Sequence, residues 1–212
     1  MIQAVLFDFG GVFTPSPFEA ARDAGAEFGL SHREAVELVF GPYDRDTDHP
    51  WHRVERGELT FEEYREEVRK DSAERGVDLD PLDVLRRIGG SGSGGVVRED
   101  VVEVVRTIRV TERKTALVTN NVAELRDLWR PLLPLDELFD VVIDSSEVGV
   151  RKPDPRIFEL TLERVGGVDP ADAVFLDDYA GNVSAAEKFG MKAILVEFDH
   201  RPAIEELLAL LG

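Results

Sequence analysis

Short, continuous apolar runs recur along this chain, and their spacing predicts its architecture. The first, Ala4 to Phe7, stops at Asp8 and is followed by Gly10 and Gly11. Runs of the same character cover Thr115 to Val118, Val141 to Ile143, Ala173 to Leu176 and Ala193 to Val196. Lacking polar alternation, each reads as a strand buried on both faces of a parallel sheet. Between them, apolar residues fall at helical spacing over Val101 to Ile108, Ala123 to Leu133, Arg156 to Val165, Ser184 to Phe189 and Ala203 to Leu211. The third of these helices has Asp154 as its N-cap and Pro155 at the first helical position. Strand alternating with helix predicts an α/β fold, a doubly wound parallel sheet.

Residues 16–88 break this rhythm, because no strand-like run appears there. Ser31-x-x-Glu34 and Thr60-x-x-Glu63 are capping boxes, and Asp80-Pro81 is a cap followed by a favoured first-turn proline. The segment reads as a helical insertion behind the first strand. Gly89 to Gly95, interrupted only by serines, reads as a flexible return linker.

Composition narrows the partners. Hydrophobic content of 43% with 32% charged residues over 212 positions suits a globular chain able to bury a core. The 25 basic residues against 43 acidic ones leave a formal charge of −18. Such a surface repels nucleic acid and anionic membranes, so neither is expected as a partner. It also repels phosphate, so an anion site here needs a concentrated local cation or a metal. Cysteine is absent, which excludes disulfides and thiolate chemistry. Residues 1–7 lack a basic leader and read as a core strand, giving a cytoplasmic expectation. No oligomeric state follows from the sequence.

In an open α/β sheet, ligands bind beyond the carboxyl ends of the strands. Those ends carry Asp8 with Gly10 and Gly11, then Thr119 with Asn120 and Asn121, then Arg151 with Lys152, and finally Asp177 with Asp178. Singly, each has an ordinary reading. Asp8 suits a turn, Thr119-Asn120 a helix cap, and Lys152 a solvated loop. Adjacent carboxylates at 177 and 178 repel each other unless a cation is near or both face water. Together and in order, they supply a nucleophile, metal ligands and donors for phosphate oxygens, the inventory of phosphoryl transfer.

The segments VLFDFGGVFT, ALVTNN, VGVRKPDPRIF and VFLDDYAGNVSAAEKFGM carry a resemblance over essentially the whole chain. The sequence resembles the haloacid dehalogenase superfamily of phosphohydrolases, most specifically in the last two segments. That resemblance implies a Rossmann-like core (residues 1–15 and 89–212) with a helical cap domain at 16–88. It also implies a Mg²⁺-dependent hydrolase passing through an aspartyl-phosphate. Asp8 would be the nucleophile, with its other oxygen on the metal. The Gly10 carbonyl and Asp178 would be further metal ligands, supported by Asp177. Thr119, Asn120, Lys152 and Gly11 would hold phosphate, and Lys152 would also neutralise the nucleophile. Asn182 stands where many members have an Asp that orients a metal-bound water.

One position departs from the pattern. Most such phosphatases carry an Asp two residues after the nucleophile, as acid and then base; here it is Gly10. Loss of a positioned acid–base group lowers rates by about 10²–10⁴. The substrate expected is therefore a small phosphorylated metabolite with a readily departing leaving group, such as an acyl phosphate, an aryl phosphate or a sugar 1-phosphate. The alternatives are a catalytically impaired phospholigand-binding protein and a 2-haloacid dehalogenase-type hydrolase. Selectivity is expected in the insertion. Trp51 either stacks on a substrate ring or packs the cap. Arg45, His49, His52 and Arg53 are candidates to meet a second anionic group, and one of the two histidines to supply the missing acid. Phe13, Thr14 and Ser16 form a flap beside the leaving group. The 89–95 linker is either a hinge for the cap or a plain tether.

Overall fold

All five apolar runs form strands, and all pair in parallel. In the computed structural model, which describes residues 1–16, 28–90 and 97–212, these are β1 (Ala4–Phe7), β2 (Lys114–Thr119), β3 (Val141–Asp144), β4 (Ala173–Asp177) and β5 (Lys192–Leu195). Their order across the sheet is β3-β2-β1-β4-β5. Alternate side chains of β1 enter different cores, as the two-residue period of a strand requires. Val5 and Phe7 pack with Leu117, Val174 and Ile194 on one face. Ala4 and Leu6 pack with Ala116, Ile143 and Phe175 on the other. Both faces are therefore dry, which explains why these strands read as unbroken apolar runs. Strand β5 starts and ends one residue earlier than its hydrophobic run.

The chain steps from β1 outward to β2 and β3, then returns to the other side of β1 for β4 and β5. The order reverses between β1 and β4, where the crossovers on either side diverge and leave a crevice beyond the strand ends. Phe7 pairs with Leu176 in register, and the Asp8 amide donates to the Leu176 carbonyl at 2.8 Å. The ladder thus carries Asp8 beside Asp177 at that crevice.

The insertion behind β1 holds four helices among the described residues, α1 (His32–Val39), α2 (Pro50–Glu55), α3 (Phe61–Glu74) and α4 (Pro81–Gly90), and no strand among the described residues of 16–88. Both capping boxes form, Ser31 with Glu34 on α1 and Thr60 with Glu63 on α3. Asp80 accepts from the Leu82 amide at 3.0 Å at the start of α4. These helices bury their own cluster around Phe40, Trp51, Tyr64, Val68 and Leu79, to which Val122 is added from the segment after β2. Helix α4 runs on to Gly90, so the first two glycines of the expected linker end a helix. The rest of that linker, 91–95, lies outside the described residues.

The helices flanking the sheet are α5 (Glu99–Arg109), α6 (Pro155–Arg164), α7 (Ala180–Phe189) and α8 (Arg201–Leu211). Two differ from the sequence pattern. The expected helix over Ala123 to Leu133 is broken into a 3₁₀ turn, one helical turn at Arg126–Trp129 and a second 3₁₀ turn. Pro131 accounts for the break, since it has no amide to donate and its ring crowds the preceding turn. Helix α7 begins four residues before the expected Ser184. Its first turn holds Gly181 and Asn182, weak helix formers, and Tyr179 gives no side-chain cap. No helix among the described residues is long and apolar enough to cross a membrane.

Candidate active site

Three strand ends and one loop deliver the charged groups. Lys152 is buried to 1% exposure, and its ammonium lies 2.8 Å from Asp8 Oδ1 and 2.7 Å from Asp177 Oδ2. The Phe9 amide donates to Asp8 Oδ1 at 2.7 Å, so both contacts on this carboxylate fall on one oxygen. Asp177 is more fully held. Its Oδ1 accepts from the Tyr179 amide at 2.8 Å, and Asn182 Nδ2 lies 3.1 Å from both carboxylate oxygens. The lysine is fixed in turn by β2. Asn120 Nδ2 donates to the Lys152 carbonyl at 3.0 Å, and Asn120 Oδ1 accepts from the Lys152 amide at 2.8 Å. This reciprocal clamp uses the Asn120 side chain, a role the sequence did not suggest.

Charge in the cluster does not balance. Oxygens of Asp8, Asp177 and Asp178 all lie within 4.8 Å of one another, around a single ammonium. Asp178 Oδ2 is buried and has no hydrogen-bond partner among the described residues. Burial pushes the Asp178 carboxyl up to about 7, helped by the neighbouring Asp177 charge. Burial likewise holds the Asp8 carboxyl well above the usual range; Lys152 opposes this, while Asp177 and Asp178 add to it. For Lys152 itself burial works against the ammonium, but Asp177 and Asp8 outweigh it and raise its pKa. A buried oxygen with no donor and an excess of carboxylates together fit a hard divalent cation bound through oxygen. Backbone packs tightly here too. Gly11 has φ +73°, and a Cβ on it would fall 2.1 Å from Asp178 Cγ.

Above the cluster opens a cavity of about 500 Å³, lined at its charged end by Asp8, Gly10, Thr119, Asn120, Lys152 and Asp178, with Asn182. Thr14 and Trp51 also line it, as expected. Trp51 packs the cap as one of its two expected uses, edge-on against Phe40 and Tyr64 at 5.1 and 5.2 Å between ring centroids. Gly11 instead lines a smaller cavity on the other side of Asp178, with Arg98 and Phe198.

Several expected substrate residues do not reach the cavity. His52 is fully buried behind its wall, with Nδ1 accepting from the Thr47 amide at 3.0 Å. Arg53 turns the other way and pairs with Glu67 of α3 at 3.3 Å. His49 is the N-cap of α2, accepting from the Trp51 amide at 3.2 Å. Burial lowers the His49 and His52 imidazoles to about 4 and about 3, so neither is poised to donate a proton near neutrality. Arg45 pairs with Asp44 in solvent. Phe13 is a core residue, packed on Phe7 and Phe139, not part of a flap.

A second buried ion cluster lies immediately beside the first. Arg151 is wholly buried and its Nε donates to Glu55 Oε2 at 2.6 Å. The Tyr43 hydroxyl donates to Glu55 Oε1 at 2.6 Å, and the Arg151 guanidinium stacks 4.7 Å over the Tyr43 ring. Asp46 Oδ1 lies 2.5 Å from Arg56 Nη1 and 3.5 Å from Arg151 Nη1. Arg151 stands next to Lys152 in a motif already singled out, and that adjacency was the one available signal.

Comparison with known proteins agrees with this layout. The family model for haloacid dehalogenase-like hydrolases matches residues 2–190. The mouse acyl-CoA dehydrogenase family member 10 is 35% identical over 99% of the chain, which spans only 19% of that relative's length. A predicted hydrolase of this type from Porphyromonas gingivalis superposes with a TM-score of 0.69 at 25% identity, covering 98% of both chains. A Bacteroides thetaiotaomicron enzyme solved with magnesium and inorganic phosphate superposes at 0.61 and 19% identity, over 94% of this chain and 96% of that one.

Proposed function

The chain belongs to the haloacid dehalogenase-like hydrolases, and on that premise we propose that it is a Mg²⁺-dependent phosphatase working through an aspartyl-phosphate on Asp8. The observation that carries the reading is the unbalanced cluster: three carboxylates, one ammonium and an unpartnered Asp178 oxygen at the crevice between β1 and β4. In this reading residues 16–88 are the cap that confers selectivity, and residues 1–15 with 89–212 are the core.

Asp8, Asp178 and the Gly10 carbonyl would hold the metal, and Asp177 would support the site mainly by fixing Lys152. Mg²⁺, when bound, supplies the positive charge that keeps Asp8 ionised and draws the phosphate in. Thr119 and the Asn120 backbone face the same cavity as donors for phosphate oxygens. Asp8 Oδ2, the oxygen that neither Lys152 nor the Phe9 amide uses, attacks phosphorus while the bond to the leaving-group oxygen breaks. Lys152 balances charge as it builds on the phosphoryl oxygens. Water then attacks the aspartyl-phosphate, releasing phosphate and regenerating the carboxylate.

Among the described residues, nothing in the cavity wall replaces the acid absent at Gly10. Glu55 is, among the described residues, the only lining carboxyl outside the cluster, and Arg151 and Tyr43 engage both of its oxygens. The leaving group must therefore depart with little protonation, which favours acyl and aryl phosphates over alkyl ones. Hydrolysis of p-nitrophenyl phosphate with and without Mg²⁺, in wild type and Asp8→Asn, tests the reading. Expected is a requirement for Mg²⁺ and a loss of about 10⁴-fold or more in the variant. Indifference to both changes overturns it.

A further inference from the structure

Resting on the phosphatase reading, we infer that the substrate's leaving group is apolar and of aromatic size, not a sugar. The cavity is far larger than one phosphate, at about 500 Å³, within the range that takes a whole organic ligand. Its walls are of two kinds. Polar lining groups come from the strand ends and from the 14–16 segment after β1. The lining residues from α4 and from 122–132 are apolar, among them Leu85, Leu125, Leu128 and Trp129, with Arg86 the one exception. Phe40 and Trp51 extend that surface from the insertion. Arg86 does not change its character, since its side chain is 69% exposed and pairs with Asp83. Tyr43 and Glu55 are bonded to each other, and Glu55 also to Arg151.

A hexose leaving group brings several hydroxyls, each needing a partner once it leaves water. Among the described residues the apolar wall offers only the Arg86 guanidinium at its exposed rim, since the indole N–H groups of Trp51 and Trp129 are themselves buried. An anionic leaving group would meet the Glu55 carboxylate and an already over-acidic cluster. An aryl or apolar acyl group meets neither obstacle and gains by burial. It is also the chemistry that departs without an acid, so the wall and the Gly10 vacancy select the same class of molecule.

The test uses three aryl esters of similar reactivity that differ in polarity and size, with the small and more reactive acetyl phosphate as a reference. Acetyl, phenyl, 2-naphthyl and 4-carboxyphenyl phosphates are compared by kcat/KM with saturating Mg²⁺. Naphthyl is expected to exceed phenyl by roughly tenfold, chiefly through KM, as burial of the second ring implies. The 4-carboxyphenyl ester is expected to fall below phenyl. In Leu85→Asp and Leu125→Asp the naphthyl-to-acetyl ratio should collapse, and a ratio within one enzyme is insensitive to the fraction folded. Both tryptophans of the chain line this cavity, so intrinsic emission reports binding without turnover. Benzylphosphonate should shift it at concentrations where methylphosphonate does not. Asp8-dependent acetyl phosphate hydrolysis with no naphthyl preference would overturn this inference and leave the phosphatase reading intact. A benzylphosphonate response without any turnover would overturn the phosphatase reading, and the leaving-group inference with it, and leave an apolar ligand site.

Discussion

Arg151 and Lys152 are consecutive residues, both buried, yet they serve two clusters with different charge balance. Around Arg151 the count of largely buried groups is even: Arg151 and Arg56 face Glu55 and Asp46, and Arg56 also reaches out to the exposed Glu58 at the rim. Around Lys152 it is not: one ammonium faces Asp8 and Asp177, with Asp178 adjoining. A buried pair whose charges balance can persist as a structural tie, here even with Arg151 Nη2 left without a partner among the described residues. A buried cluster short of positive charge raises the pKa of its own carboxyls, and that excess is what a divalent cation relieves. The even cluster ties the insertion to the 149–153 loop; the uneven one faces the cavity. Charge arithmetic, more than burial, separates scaffold from chemistry here.

The sharpest way to break the comparison is to unbalance the even cluster. Glu55→Ala leaves the Arg151 guanidinium and the Tyr43 hydroxyl buried without their acceptor. The expected loss of stability is about 3–5 kcal/mol, read from urea unfolding. Adding Arg151→Met to Glu55→Leu removes one charge of each sign and leaves Arg56 with Asp46. That double variant should be less destabilised than the sum of its singles by about 1 kcal/mol or more. Strict additivity would show that the two groups do not act as a pair.

The uneven cluster should answer in the opposite sense, being stabilised by added charge. With Mg²⁺ at a hundred times its dissociation constant, unfolding should become harder by about 2.7 kcal/mol, measured against chelated protein. Asp178→Asn should abolish that increment. In chelator the same variant should be at least as stable as wild type, since it removes one of three mutually repelling carboxylates. Equal Mg²⁺ stabilisation of wild type and variant would place the ion elsewhere.

These two clusters also mark what the sequence could and could not say. The sheet was legible because strands buried on both faces have no choice but to be apolar throughout. The uneven cluster was legible because strand ends in such a sheet converge, so Asp8, Thr119, Lys152 and Asp178 could be placed at one crevice from order alone. The Arg151–Glu55 tie was not, since it joins residues 96 positions apart through the packing of an insertion whose docking no local pattern fixes. For the same reason His52 and Arg53 were assigned to the cavity. They follow Trp51 directly, and successive residues on a short helix point in different directions, so only one of the three lines the cavity.

The smallest expected effect concerns pH and the histidine behind the even cluster. Burial, with Arg151 and then His49 and Arg56 nearby, lowers His52 from its ordinary 6.5 to about 3; Asp46 Oδ1, 3.8 Å from Nδ1, is the acidic group it faces. The Thr47 amide donates to Nδ1, which must stay unprotonated to accept. When the chain unfolds below pH 6.5 the freed imidazole takes up a proton that the folded one refuses. The His52 contribution is therefore complete above 6.5 and is lost as pH falls toward the folded value. Each unit of that descent should remove about 1.4 kcal/mol of the stability difference between wild type and His52→Gln. Urea midpoints of both proteins, taken in chelator between pH 6.5 and 5, give that difference directly. A difference that stays flat or grows on acidification would mean that His52 accepts a proton in the folded state, and the even cluster would then carry one positive charge more than its four ionic groups supply.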